Sequence, residues 1–265
     1  MPLQQLTPRF LEKIWGSERL EPLFPDQKGK IGEVWFEGPG PLELPLLVKF
    51  LFTSEKLSVQ VHPGDEYAQR HHSSRGKTEM WHVLAAEPGA QIAAGLREPV
   101  TAGRLRAAAE SGEIERLLAW HPAAPGDTFF IPAGTVHAIG GGLVLCEIQQ
   151  RSDITYRLYD YGRPRELHIE ESLAVARLEP HAARATARQD VLVSCEHFTV
   201  GKCAGGAEQK LAIPPQHFGL LIVIQGEGLL DGDPAQAGQV WYARQSTPPI
   251  VVSGPLTLLW AFARL

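Results

Sequence analysis

The sequence predicts a mostly β protein built as two lobes with a few short helices. Three observations carry this expectation. First, 26 glycines and 21 prolines punctuate the 265 residues into short segments, the pattern of strands joined by turns rather than of a long-helix bundle. Second, apolar residues make up 44% and charged residues 21% of the chain, enough to bury a sizeable core and too apolar for disorder. Third, two stretches of short strand-like runs flank residues 180–190, an Ala/Arg-rich segment with little apolar pattern. That segment reads as a linker between lobes spanning 1–180 and 181–265.

Taken in order, Ile31–Glu37 alternates as a strand should. Leu46–Phe52 is apolar on both faces and reads as a central strand. Leu57–His62 alternates strictly. Leu57, Val59 and Val61 point one way, and Ser58, Gln60 and His62 the other. A strand face made of Ser, Gln and His lines something polar. Residues 63–78 form a polar loop with room for a short helix, followed by a strand over Thr78–Leu84. Residues 102–120 are the clearest helical stretch, packed on the outside of the first lobe and divided at Gly112. Strands follow at Thr128–Ile131, Leu143–Gln149 and Thr155–Tyr159, then a short helix over Ile169–Leu178. Beyond the linker the expected strands are Val191–Ser194, His197–Lys202, Phe218–Gln225, Val240–Ala243, Ile250–Ser253 and Leu256–Phe262.

The charge balance narrows the function. Twenty-five Lys and Arg against 30 Asp and Glu leave a net charge of -5, without the basic surplus of a nucleic-acid binder. Cys146, Cys195 and Cys203 are too few and too scattered for a disulfide framework or a Cys-rich zinc site. The first residues show no basic segment followed by an apolar core, and no apolar run is long enough to span a bilayer. A cytoplasmic protein that binds neither nucleic acid nor membrane is the expectation; oligomeric state has no signature in the pattern.

One constellation carries chemistry. Gln60 and His62 project in parallel from one strand face, roughly 6.5–7 Å apart along it, so both can reach one metal ion. Glu79 lies in the next strand pattern, in an otherwise apolar setting. His137 follows a turn fixed by Pro132 and Gly134. Two imidazoles, one carboxylate and one amide oxygen suit Zn²⁺ with an open position for substrate, and are also compatible with Mn²⁺ or Fe²⁺. Gln60 either ligates directly or hydrogen-bonds a ligand.

These residues also carry a resemblance. Gly126-x5-Pro132-x-Gly134-x2-His137 is similar to the second signature of the cupin superfamily, small β-barrels that hold a metal inside. More closely, four motifs in order resemble type I mannose-6-phosphate isomerases (phosphomannose isomerases). They are Leu57-Ser58-Val59-Gln60-Val61-His62-Pro63, Gly76-Lys77-Thr78-Glu79-Met80-Trp81, Ile131-Pro132-Ala133-Gly134-Thr135-Val136-His137-Ala138 and Ser152-Asp153-Ile154-Thr155-Tyr156-Arg157. The likeness extends to Lys13-Ile14-Trp15-Gly16 and Ile31-Gly32-Glu33. It covers roughly residues 10–180 well and the rest weakly, and the length matches the short bacterial form of the family.

The resemblance implies two cupin-like β-barrel (jelly-roll) lobes. The first would be catalytic and bind one zinc per chain through Gln60, His62, Glu79 and His137. The second has a cupin-like rhythm but no histidine between Val240 and Ser253, so it is expected to be metal-free. The implied reaction interconverts mannose 6-phosphate and fructose 6-phosphate through a cis-enediol. Arg157 and Lys77 would act in the site, and Ser58, Lys77 and Arg163 would contact the phosphosugar. The proton shuttle would fall to Glu147 or to Lys77, and Glu147 could equally be half of a buried ion pair. Two rival readings use the same scaffold: an iron cupin oxygenase, and a sugar-phosphate-binding protein without turnover.

Overall fold

The computed structural model describes residues 3–38, 43–244 and 248–264; Met1 and Pro2, at the N-terminal stretch expected to carry no signal, lie outside them. Its strands form four antiparallel sheets. In the first half, a six-stranded sheet runs in the order Pro8–Ser17, Ile31–Phe36, Leu46–Thr53, Leu143–Gln150, Glu79–Ala86, Thr128–Ile131. A five-stranded sheet faces it, in the order Tyr156–Tyr159, Val59–Val61, His137–Ile139, Gln91–Leu96, Leu118–Pro122. The second half has a six-stranded sheet, five strands from Val191–Arg264 and Gln4–Gln5 at one edge beside Val240–Arg244, and a four-stranded sheet.

Leu46–Thr53 is buried at all eight positions, as a strand apolar on both faces should be. Its alternation divides two environments. Val48, Phe50 and Phe52 join Met80, Cys146 and Ile148 in a core that continues into the second half through Val200, Phe218, Leu220, Ile222 and Leu259. Lys49 and Leu51 point the other way, into the first barrel. The two six-stranded sheets therefore share one apolar interface, and the inner face of the first is free to carry charge.

Gly112 adopts a left-handed φ of 79° and splits the expected helix into Ala102–Ser111 and Ile114–Leu117. Leu105, Ala109, Ile114 and Leu117 pack against Val59, Val61, Ala93 and Leu158 on the outside of the five-stranded sheet. The chain then leaves helix earlier than the sequence suggests. Leu118–Pro122 pairs with Gln91–Leu96, because a sheet edge offers hydrogen bonds that override weak helical propensity.

The segment expected as a free linker is used structurally. Phe130 N–H donates to the Ala183 carbonyl at 2.7 Å and Ala185 N–H to the Thr128 carbonyl at 2.9 Å. Backbone, not side-chain pattern, covers the exposed edge of Thr128–Ile131. No helix among the described residues is long and apolar enough to cross a membrane.

Phe50 is fully buried in the shared interface, edge-on to Phe24 and Phe36 at 5.8 Å each. Phe50→Ala is expected to lower stability by about 3–5 kcal/mol, read as a reduced midpoint in urea unfolding.

Candidate metal centre and cavity

Three strands of the five-stranded sheet set the first part of the site. Gln60 pairs with His137 on one side and Arg157 on the other. The facing sheet supplies a row across its inner surface, because Trp81 pairs with Glu147, Glu147 with Lys49 and Lys49 with Trp35. Glu79 sits two residues before Trp81 on that same face.

His62, Glu79 and His137 meet between the sheets, with one ligand-type atom from each within 4.8 Å of the others. Glu79 Oε2 is 3.7 Å from His62 Nε2, and Glu79 Oε1 is 3.4 Å from His137 Nε2. Each ring is oriented from behind. His62 Nδ1 donates to the Ile154 carbonyl and His137 Nδ1 to the Thr135 carbonyl, both at 2.8 Å. A carbonyl only accepts, so Nδ1 carries the proton and Nε2 keeps a lone pair aimed at the centre. The turn that supplies the Thr135 carbonyl needs its glycine. Gly134 has φ of 85°, and a Cβ there would lie 2.8 Å from the Val175 carbonyl oxygen.

Electrostatics fit this picture. Burial, reinforced by Lys77, holds His62 well below the usual imidazole value. Burial lowers His137 to about 4. Both rings are therefore neutral near pH 7, as metal ligands must be. Burial pushes Glu79 up to about 7 despite Lys77 and Lys49 nearby. Both of its oxygens are buried without a hydrogen-bond partner. Lys77 reaches into the same space, with Nζ 3.1 Å from His62 Nε2 and 3.4 Å from Glu79 Oε2. Two imidazole nitrogens and a carboxylate converging on one point are the ligand chemistry of a divalent-cation site, so these residues fit a metal ion. Gln60 is close by: its amide nitrogen lies 3.2 Å from His137 Nε2, and its oxygen accepts from the Ser58 hydroxyl at 3.3 Å. A half-turn of the amide would present oxygen instead.

A cavity of about 310 Å³ opens beside this centre. Ser58, Gln60, Lys77, Glu147 and Arg157 line it, as do Lys13, Trp15, Glu33, Lys49, Leu51, Leu57, Asp153 and Arg165. Leu57 departs from the predicted alternation, turning inward onto Leu51 and Trp81. Glu147 is held by Lys49 at 3.1 Å and by the Trp81 indole N–H at 2.9 Å. Burial alone would raise this carboxyl, but Lys49 and Lys77 outweigh it and keep it below its usual range.

Arg163 is the one expected contact that the cavity lining omits. Its guanidinium is turned onto Asp160 and onto the Lys56 carbonyl at 2.9 Å, and Arg165 faces the cavity in its place. Sequence reasoning also missed Lys49, although a lone charge inside an apolar strand was a signal for it. Arg165, in Arg163-Pro164-Arg165, had no local signal to separate it from its neighbour.

Two antiparallel sheets closing on a buried His/Glu/His group beneath a charged cavity define a β-barrel protein with a centre able to hold a metal ion. No family model matches the chain. Over 201 residues it is 41% identical to the mannose-6-phosphate isomerase ManA of Bacillus subtilis, and over 199 residues 40% identical to the mannose-6-phosphate isomerase of Streptococcus mutans. Each match covers 69% of this chain and 62% of the relative. The crystal structure of the Bacillus subtilis mannose 6-phosphate isomerase superposes with a TM-score of 0.86 at 30% identity, covering 98% of this chain and 99% of that one. The chain belongs to the mannose-6-phosphate isomerase family.

Elemental analysis after zinc loading tests the centre directly. His137→Ala is expected to weaken zinc binding by about 100-fold or more, whereas Arg157→Ala, which removes no ligand atom, should retain the metal of the parent.

Proposed function

We propose that this protein interconverts mannose 6-phosphate and fructose 6-phosphate in the cavity beside His62, Glu79 and His137, with one zinc per chain. The observation that carries the reading is the convergence of buried His62, Glu79 and His137, with both imidazoles neutral, beside a cavity lined by Lys and Arg. Gln60, His62, Glu79 and His137 would hold the ion. When bound, zinc supplies a Lewis acid that lowers the cost of negative charge on the sugar oxygens.

The protein groups do the remaining work. Arg157 stands beside Gln60 by strand pairing and lines the cavity. Its fixed positive charge stabilises the enediolate that forms as the proton moves between C1 and C2. Glu147 is an ionised carboxylate facing the same space, in the protonation state a base requires. Lys49 and Trp81 fix its position. Lys77, between His62 and Glu79, brings a second cation to the developing charge. Ser58 is buried and lines the cavity, where its hydroxyl can bond a sugar oxygen.

A coupled assay of mannose 6-phosphate conversion, before and after chelation, tests reaction and metal together. Chelation is expected to abolish turnover and zinc to restore it; full activity without metal overturns the Lewis-acid role. Arg157→Ala is expected to lower kcat by about 100-fold or more with metal retained. Glu147→Gln should lower it comparably, and a rate within a few-fold of the parent would transfer the base to Lys77.

A further inference from the structure

A second cavity, of about 440 Å³, opens where the two halves of the chain part, and it shares no lining residue with the cavity beside the metal centre. Strand alternation places it. Met80 and Val200 belong to the apolar interface between the halves. Two residues further along their strands, and so on the same faces, stand His82 and Lys202. There the interface changes character. Leu23, Leu84, Val144 and Ile224 wall the cavity and pack onto the shared core. The imidazole and the ammonium stand among them.

Neither polar group is satisfied from within. His82 is 2% exposed. Its Nδ1 lies 2.9 Å from the Thr128 hydroxyl, and its Nε2 has no hydrogen-bond partner among the described residues. With the hydroxyl donating to Nδ1, Nε2 carries the proton and is a donor on the cavity side. Burial first, then Lys202, lowers this imidazole to about 4, so it is neutral near pH 7. Among the described residues no carboxylate pairs with Lys202, and its ammonium makes no hydrogen bond. Asp127, which acts on His82 in the opposite sense, is already held by Arg184 at 3.1 Å and by the Ala124 N–H at 2.9 Å. Glu21 also lines the cavity but is exposed, so solvent and salt screen its field.

One cation and one neutral donor beside an apolar wall complement an acid group joined to an apolar body. The charge count selects the acid. A phosphate ester brings close to two negative charges at neutral pH, and a carboxylate brings one. A single ammonium matches the carboxylate.

We propose that this cavity is a second binding site, for a small amphipathic carboxylate whose acid group meets Lys202 and His82 Nε2 and whose ring or acyl body lies on Leu84, Val144 and Ile224. The site stands apart from the isomerase reading, because it uses neither the metal ligands nor the cations of the first cavity.

Calorimetric titration with 2-naphthoate and with octanoate, each beside its neutral amide, tests the site; the two acids separate a ring from an acyl body. At least one carboxylate is expected to bind with Kd below about 1 mM, and its amide about tenfold or more weaker. Lys202→Met should weaken the carboxylate by about tenfold or more, and Lys202→Arg, which keeps the charge, should weaken it less. His82→Phe should also weaken it; should that variant fail to fold, the Lys202 variants decide alone. Chelation of bound metal should leave the affinity unchanged, whereas binding lost on chelation would put the carboxylate on the metal and overturn the proposal. Failure of both carboxylates to bind at about 1 mM, equal binding of the amide, or a Kd in Lys202→Met within about threefold of the parent overturns it as well.

Discussion

A carboxylate and two imidazoles buried with their lone pairs turned toward one another cannot be satisfied by one another. Leaving an ionised carboxylate in such a place costs several kcal/mol unless a positive charge joins it. Glu79 is 0% exposed and both its oxygens lack a hydrogen bond. The fold nevertheless holds His62 and His137 against it, each ring pinned from behind by a backbone carbonyl. Relief comes either from a proton on Glu79, whose pKa is pushed up to about 7, or from a cation. Lys77 supplies one, and a divalent ion would satisfy all three acceptors at once. The Gly134 turn, the short strands carrying Gln60 and His137, and the facing row from Trp81 to Lys49 all serve to keep the acceptors converged.

The six-stranded sheet of the first half meets this demand because it is buried on both faces for opposite reasons. Met80, Cys146, Ile148, Val48 and Phe50 face the second half of the chain. The residues between them, Glu79, Trp81, Glu147 and Lys49, face the centre. A slip of one residue in register would exchange the two sets, placing ion pairs in the apolar interface and phenyl rings in the cavity. The second half thus stabilises the register of the site, and none of its described residues lines the cavity. Covering one face with a second sheet is what permits the other face to be charged.

Much of the centre was legible in the sequence because it depends on local rules. Strand alternation put Gln60 and His62 on one face, and Pro132 with Gly134 announced the turn that aims His137. Glu79 stood out as a charge in an apolar run. What was not legible depended on packing between distant segments. Leu57 breaks its own alternation because Leu51 and Trp81 provide an apolar seat at the strand end. Leu118–Pro122 is a strand only because Gln91–Leu96 offers an edge to it. Gln91–Leu96 itself, with Ala93, Ala94 and Gly95, lacks the β-branched density that marks strands. Arg163 and Arg165 are alike in sequence, and only the position of Asp160 and the Lys56 carbonyl separates the one facing inward from the one facing away.

The charge distribution completes the physical picture. A chain of net charge -5 does not draw an anion from a distance, and at physiological salt fields fade beyond about 8 Å in any case. Recognition must therefore be local. Pairing Lys13, Lys49 and Lys77 with carboxylates keeps the inner cavity close to neutral, which would suit the proposed reaction, whose own negative charge appears only in passing. Arg157, which also lines the cavity, pairs with no carboxylate among the described residues. On the proposed reading, contacts with an unreacting phosphate would anchor the sugar, and the groups beside the reacting carbons would be left to distinguish the transition state from the ground state.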